Sequence, residues 1–221
     1  MNLLEFLARL FGAGREAAPA AASTATPSPP AIPVVAVGQA PAAAPPSAAR
    51  PAEIIPGLTD LLQRFEGVSL APYLCPAGVP TIGIGTTRYP GGRRVTLSDP
   101  PITIDQARAF AAADLAEAAG DVDDMLAVRP LLPRQRAALA LFVHNLGPGA
   151  LADSTLLRLV RAGAADADIR EAFGAWCKAR DPKTRQLVPL KGLRRRRRCE
   201  AAIWEGEPPD QAWQTAVRAW P

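Results

Sequence analysis

Glu66 is the side chain of this sequence best placed to move a proton, because it stands where an apolar-faced stretch ends, immediately before Gly67. Eight residues separate it from the thiol of Cys75, and five separate Cys75 from the hydroxyl of Thr81. A carboxyl can give or take a proton at a reacting atom, and a thiol or hydroxyl can hold water, deprotonate it or attack directly. The plainer alternatives are a glutamate that closes a helix end and a cysteine that fills a core or enters a disulfide.

The elements around these residues are legible from spacing. Leu58, Leu61, Leu62 and Phe65 recur at threes and fours, which predicts one apolar helical face, and Gly67 then stops the helix just after the acid. Thr81 to Thr87 alternates bulky residues with Gly83 and Gly85, a β-permissive run with no side chains on one face, suited to a strand that a ligand approaches closely. Tyr89 to Val95, with Pro90, Gly91 and Gly92 inside it, reads as a turn between two short extended runs. Thr103 followed by Gln106 predicts a capping box opening an Ala-rich helix to about Met125, and Pro133 opens another that Gly147 closes. Ala137 to Val143 is wholly apolar, which predicts the buried centre of a helical lobe. Further helices are predicted over Ser154–Arg161, Ala167–Lys178, Leu193–Trp204 and Pro209–Ala219. The expected fold is α+β and mostly helical, with a small β-containing lobe and a larger helical one.

The arrangement Glu, eight residues, Asp or Cys, five residues, Thr resembles the active-site signature of the phage lysozyme (endolysin) family, glycoside hydrolase family 24. The flanking words Glu66-Gly67 and Thr81-Ile82-Gly83-Ile84-Gly85 match as well. So do His144-Asn145-Leu146-Gly147 with Ser154-Thr155-Leu156-Leu157, and the close built from Gly192-Leu193, Arg196-Arg197, Glu200 and Ile203-Trp204. The resemblance spans about residues 57–206. It implies a lysozyme-like two-lobed fold with a glycan-binding cleft, and a muramidase hydrolysing the β-1,4 bond between N-acetylmuramic acid and N-acetylglucosamine of peptidoglycan in bacterial cell-wall lysis.

The same resemblance makes Glu66 the general acid, Cys75 and Thr81 its partners across the sugar, and Thr86, His144, Asn145, Ser154 and Thr155 substrate-binding residues. A glycosidase acid must keep its proton near neutral pH, which an apolar, partly desolvated cleft favours. A cysteine at the second position departs from a two-carboxylate scheme, since an ordinary thiol, with a pKa of about 8.5, is mostly uncharged at pH 7. Water held by Cys75 would invert the anomeric centre and direct attack by its thiolate would retain it; the resemblance favours inversion. His144 serves better as a cleft wall or core residue than as a catalyst. The competing functions are a lytic transglycosylase, which cyclises its product instead of adding water, and a wall-binding protein with a weak site.

Composition narrows the rest. Residues 1–16 form a short stretch of amphipathic character, too short to span a bilayer, suited to weak contact with a membrane surface or a partner. Residues 17–53 are an Ala/Pro-rich segment, expected to be a disordered linker, and 54–221 the catalytic domain. A secretory signal at the N-terminus is a poor match, with Glu5 and no Lys or Arg before Arg9, so the export route stays open. The expected enzyme is a monomer made in the bacterial cytoplasm that acts on the wall in the periplasm. With three acids and three bases in residues 1–53, the net charge of +4 belongs to the remainder, which suits an anionic wall. The run Arg194–Arg198 on a helix would point all around its axis, and recognition context for nucleic acid is missing. No cofactor is expected and no metal, for His144 is the only histidine and there is no Cys-x-x-Cys. A disulfide between Cys177 and Cys199 is open to an oxidising compartment, with reduced thiols expected in cytoplasm.

Overall fold

The computed structural model describes residues 54–220 apart from 76–77, 128 and 182–183; the segments expected at 1–16 and 17–53 lie outside the described residues. Helix α1 (Leu58–Glu66) buries Leu58, Leu61 and Leu62, the face the spacing predicts. Strands β1 (Ser69–Leu74) and β2 (Pro80–Gly83) form an antiparallel pair in which Tyr73 faces Thr81 and Leu74 faces Pro80.

The extended run expected over 81–87 breaks after Gly83. Gly83 and Gly85 take φ of 65° and 81°, left-handed values that cost a side-chain-bearing residue energy, and the chain doubles back. Ile82 and Thr86 then exchange backbone hydrogen bonds of 2.9 and 3.0 Å. The turn at Tyr89–Val95 forms as predicted, with Tyr89 N–H donating to Arg93 and Val95 N–H to Thr87. Asp99 locks it from beneath, accepting from Tyr89 Oη at 2.9 Å, Arg93 Nη1 at 2.9 Å and Thr96 N at 3.0 Å.

Helix α2 (Ile104–Met125) opens on the predicted capping box, both halves of which are made between Thr103 and Gln106. It packs along α3 (Pro133–Leu146), whose residues Ala137–Val143 are all buried. Alanines on facing sides let the two axes approach closely, so few large side chains suffice to seal the interface. The short α4 (Pro148–Ala152) leads to α5 (Thr155–Ala162) and α6 (Asp166–Gly174). Phe142 on α3 meets Phe173 and Trp176 edge-on, with ring centroids 6.0 and 5.5 Å apart.

Helix α6 ends at Gly174, short of the predicted Lys178. Lys178–Arg180 is instead strand β3, paired antiparallel with β4 (Leu187–Pro189), and only Ala179 of its three residues is buried. A three-residue strand with one inward side chain leaves no period to read. Helix α7 (Lys191–Glu205) packs on α3 and on α8 (Pro209–Ala219), and Gly206 ends it at φ 117°. Among the described residues no helix is long and apolar enough to cross a membrane.

Candidate active site

Glu66 is the last residue of α1, and Gly67, at φ 75°, caps the helix by returning its N–H to Gln63 at 2.9 Å. The carboxyl side chain is carried inward and the residue is only 8% exposed. Gly85 lies directly over it: a Cβ there would stand 3.7 Å from Glu66 Cγ, on a backbone whose φ of 81° favours glycine. The chain reversal after β2 thus brings backbone close to the acid.

Glu66 does not sit in purely apolar surroundings, as the sequence suggested. Arg196 of α7, fully buried, donates through Nη1 to Glu66 Oε1. The same guanidinium lies 4.8 Å from the Phe65 ring centroid, and its Nε is 3.4 Å from Glu200 Oε1. Arg197 Nη2, next along the helix, donates to Glu200 at 2.7 Å and to Asn145 Oδ1 at 2.7 Å. Two arginines and two glutamates form a buried network in which each charge has a partner, the condition for tolerating charge in an interior. Arg196 was legible in the sequence only as part of a family word; its contact with an acid 130 residues away was not.

Cys75 and Thr81 meet through one carbonyl. Val79 C=O accepts the Cys75 N–H at 3.0 Å and the Thr81 hydroxyl at 2.9 Å, fixing both residues across the β1–β2 turn. Both are buried. Tyr73, opposite Thr81 in the ladder, has its phenol pushed up by burial, with Cys75 and then Glu66 adding to the shift, so it lies within electrostatic reach of both. The structure therefore holds Cys75 and Thr81 together on one carbonyl, with Tyr73 in electrostatic reach of Glu66 and Cys75. The position of Tyr73 inside the motif was the only signal for it.

Of the residues expected to bind substrate, His144 stands near Glu66 and Arg196. Burial pulls its imidazole down to about 4, Glu66 opposing and Arg196 adding, so it is neutral at pH 7, and its Nδ1 is buried with no hydrogen-bond partner. Asn145 is held by Arg197. Thr86 is 1% exposed and spends its hydroxyl on Asp114 Oδ2 at 3.2 Å. Ser154 caps α5, accepting from Leu157 N at 2.9 Å and donating to Leu151 O at 2.7 Å. Exposed Thr155 and buried Ser154 line a separate cavity of about 500 Å³ with Trp176, Asp168 and Glu171, and Glu66 is not in its wall. The three cysteines are free thiols, so Cys177 and Cys199 are not bridged. No group of metal-ligating side chains occurs among the described residues.

Asp114 was not anticipated. Burial lifts its carboxyl from 3.8 to about 7, the Thr86 hydroxyl opposing and Glu117 adding. The folded chain then binds a proton more tightly here than the unfolded chain, so this residue's stabilising contribution, complete below about pH 4, is lost as pH rises through about 7. Asp114→Asn is expected to raise the Tm by several degrees at pH 8, for roughly 1–2 kcal/mol, and to change it little at pH 4. A Tm at pH 8 no higher than wild type would contradict this account.

A helix-end acid beside a glycine-reversed hairpin, in a two-lobed α+β chain, defines a lysozyme-class glycosidase. The comparisons agree: the phage lysozyme family model matches residues 63–200. An endolysin of Acyrthosiphon pisum secondary endosymbiont phage 1 is 35% identical over 145 residues, 66% of this chain and 92% of that protein. The solved endolysin from Escherichia coli O157:H7 phage FAHEc1 superposes with a TM-score of 0.60 at 31% identity, covering 70% of this chain and 94% of the other. The muramidase domain of SpmX from Asticaccaulis excentricus gives a TM-score of 0.57 at 28% identity, covering 71% and 99%. The chain belongs to the phage lysozyme family. It is a peptidoglycan-degrading lytic enzyme with the lysozyme-like fold, acting on the cell wall.

Proposed function

We propose that the chain is a muramidase that hydrolyses the β-1,4 bond between N-acetylmuramic acid and N-acetylglucosamine, with Glu66 as general acid. The observation that carries the reading is the asymmetry of the Glu66 carboxyl. Arg196 donates to Oε1, so Oε2 is the oxygen that carries the proton to the bridging oxygen, and the guanidinium stabilises the carboxylate left once the proton has gone. On the opposite face of the sugar, Cys75 and Thr81, held on the Val79 carbonyl, position the attacking water, which gives inversion. The similarity to a muramidase domain supports this choice of bond.

His144, as a neutral imidazole, and Asn145 contact the glycan beside Glu66. Thr86 and Ser154 shape the site through the loop and helix they fix, and Thr155 meets substrate from the separate cavity it lines. The enzyme works as a monomer without a cofactor, and it is made in the bacterial cytoplasm and reaches the wall in the periplasm. Residues 1–16 are proposed to make weak contact with a membrane surface or partner, with 17–53 as the linker to the catalytic domain at 54–221.

Product analysis tests the reading. Purified peptidoglycan should give muropeptides with a reducing N-acetylmuramic acid, one water heavier than the anhydro products of a transglycosylase. Proton NMR of the first-formed anomer should show inversion for wild type and for Cys75→Asp, with Cys75→Ser slower but unchanged in outcome. Anhydro products would replace hydrolysis by transglycosylation. Retention by wild type with inversion by Cys75→Asp would make the thiol a nucleophile.

A further inference from the structure

The run Arg194–Arg198 is divided by the geometry of its helix. At about 100° per residue, Arg196, which reaches Glu66, points almost directly away from the middle of the Arg194/Arg198 face. Behind that face lies a second cavity of about 280 Å³ between α6, α7 and the C-terminal Trp220. That is many times the volume of one water and close to the lower end of small-molecule sites.

Four arginines line it. Arg170 enters from α6 and is paired with Glu205 at 2.5 Å. Arg194 places its guanidinium over the Trp220 ring, 4.5 Å from the centroid, a contact that uses the face of the cation and none of its N–H donors. Arg198 is half-buried, and among the described residues neither it nor Arg194 has a carboxylate partner within ion-pair distance. Arg197 is 1% exposed, and its Nε and Nη1 have no hydrogen-bond partner. An interior guanidinium with two unanswered N–H groups is costly, and the cost falls when an anion enters beside it. Among the described residues the one carboxylate in the cavity wall is Glu171, which is exposed.

We propose that this cavity is a binding site for a phosphate-type anion, separate from the Glu66 site. Guanidinium groups arriving from two helices, three of them from α7, offer more N–H donors than the two oxygens of a carboxylate can use, a surplus that suits the several oxygens of a phosphoryl group. Phosphoryl groups of this kind are carried by soluble phosphate compounds and by anionic lipid headgroups, and one experiment separates these sources.

The full chain is titrated calorimetrically with inorganic phosphate, and with acetate as the carboxylate probe, at low ionic strength. Wild type should bind one phosphate. Arg194→Ala/Arg198→Ala should weaken binding at least tenfold, and Glu171→Gln should tighten it by removing the opposing charge. The double variant should still unfold cooperatively, with a Tm lowered at most by the lost stacking of Arg194 on Trp220, and its clearing of purified peptidoglycan should match wild type, since neither arginine touches the Glu66 network. Co-flotation of the chain with phosphatidylglycerol vesicles, reduced in the same double variant, would assign the lipid source; phosphate binding without such flotation would assign a soluble phosphate compound. Equal phosphate affinity in wild type and double variant, no binding at millimolar phosphate, or acetate binding as tight as phosphate would overturn the proposal and leave the hydrolase reading untouched.

Discussion

Glu66→Gln should reduce the clearing of bacterial walls by about 10²–10⁴-fold, the range lost when a positioned general acid is removed. Glutamine keeps the shape and can still accept from Arg196 through its carbonyl oxygen, so the loss would come from the missing proton and not from a vacated pocket. It does remove one negative charge from a buried network. Arg196 keeps Glu200 at 3.4 Å, and a stability cost of about 1–3 kcal/mol is expected. Unfolding curves measured beside the turbidity assay separate the two effects, and the kinetic loss should fall on kcat more than on KM, because the proton is needed only as the bond breaks. Clearance within tenfold of wild type, in a variant that still folds, would remove Glu66 from the mechanism. Glu66→Asp should also be impaired, since one methylene less withdraws the carboxyl from the oxygen it serves.

The parts of this molecule that could be read in the sequence are those whose causes are local. Leu58 to Phe65 repeats at helical spacing, Thr103 and Gln106 cap each other three residues apart, and Gly67 and Gly147 end helices by geometry that glycine alone adopts cheaply. The closeness of Cys75 and Thr81 was equally accessible, because the hairpin that joins them is a short-range structure pinned to one carbonyl. The β3–β4 hairpin was not, since β3 shows one buried side chain in three residues and β4 none. Nor was the partner of Glu66. An arginine in a row of five carries no mark of which way it points, and its role appears only when α7 is laid across α3 beside α1. Thr86 and Ser154 show the same limit in reverse. Their hydroxyls looked free for a ligand, and the fold spends them on Asp114 and on the first turn of α5.

Arg196→Met tests how far the site depends on that unreadable contact. Methionine fills much of the volume beside Phe65 yet leaves Glu66 and Glu200 without the cation between them. Removing one member of a buried ion network typically costs about 3–5 kcal/mol, mostly as the penalty of the charge left behind. Arg197 continues to serve Glu200 at 2.7 Å, so the uncompensated charge is chiefly that of Glu66. If so, Glu66→Gln in the Arg196→Met background should restore about 1–2 kcal/mol, although the same change destabilises the wild type. A mutation that weakens one background and strengthens the other is the signature of direct coupling, and chemical denaturation of the four proteins measures it. Additive costs would mean that Arg196 supports the fold through packing on Phe65 and the Leu141 carbonyl, with its charge incidental to the acid. Arg196→Lys distinguishes charge from geometry: an ammonium neutralises Glu66 but lacks the fork that reaches Glu66 and Glu200 together, so it should recover only part of the stability lost in Arg196→Met.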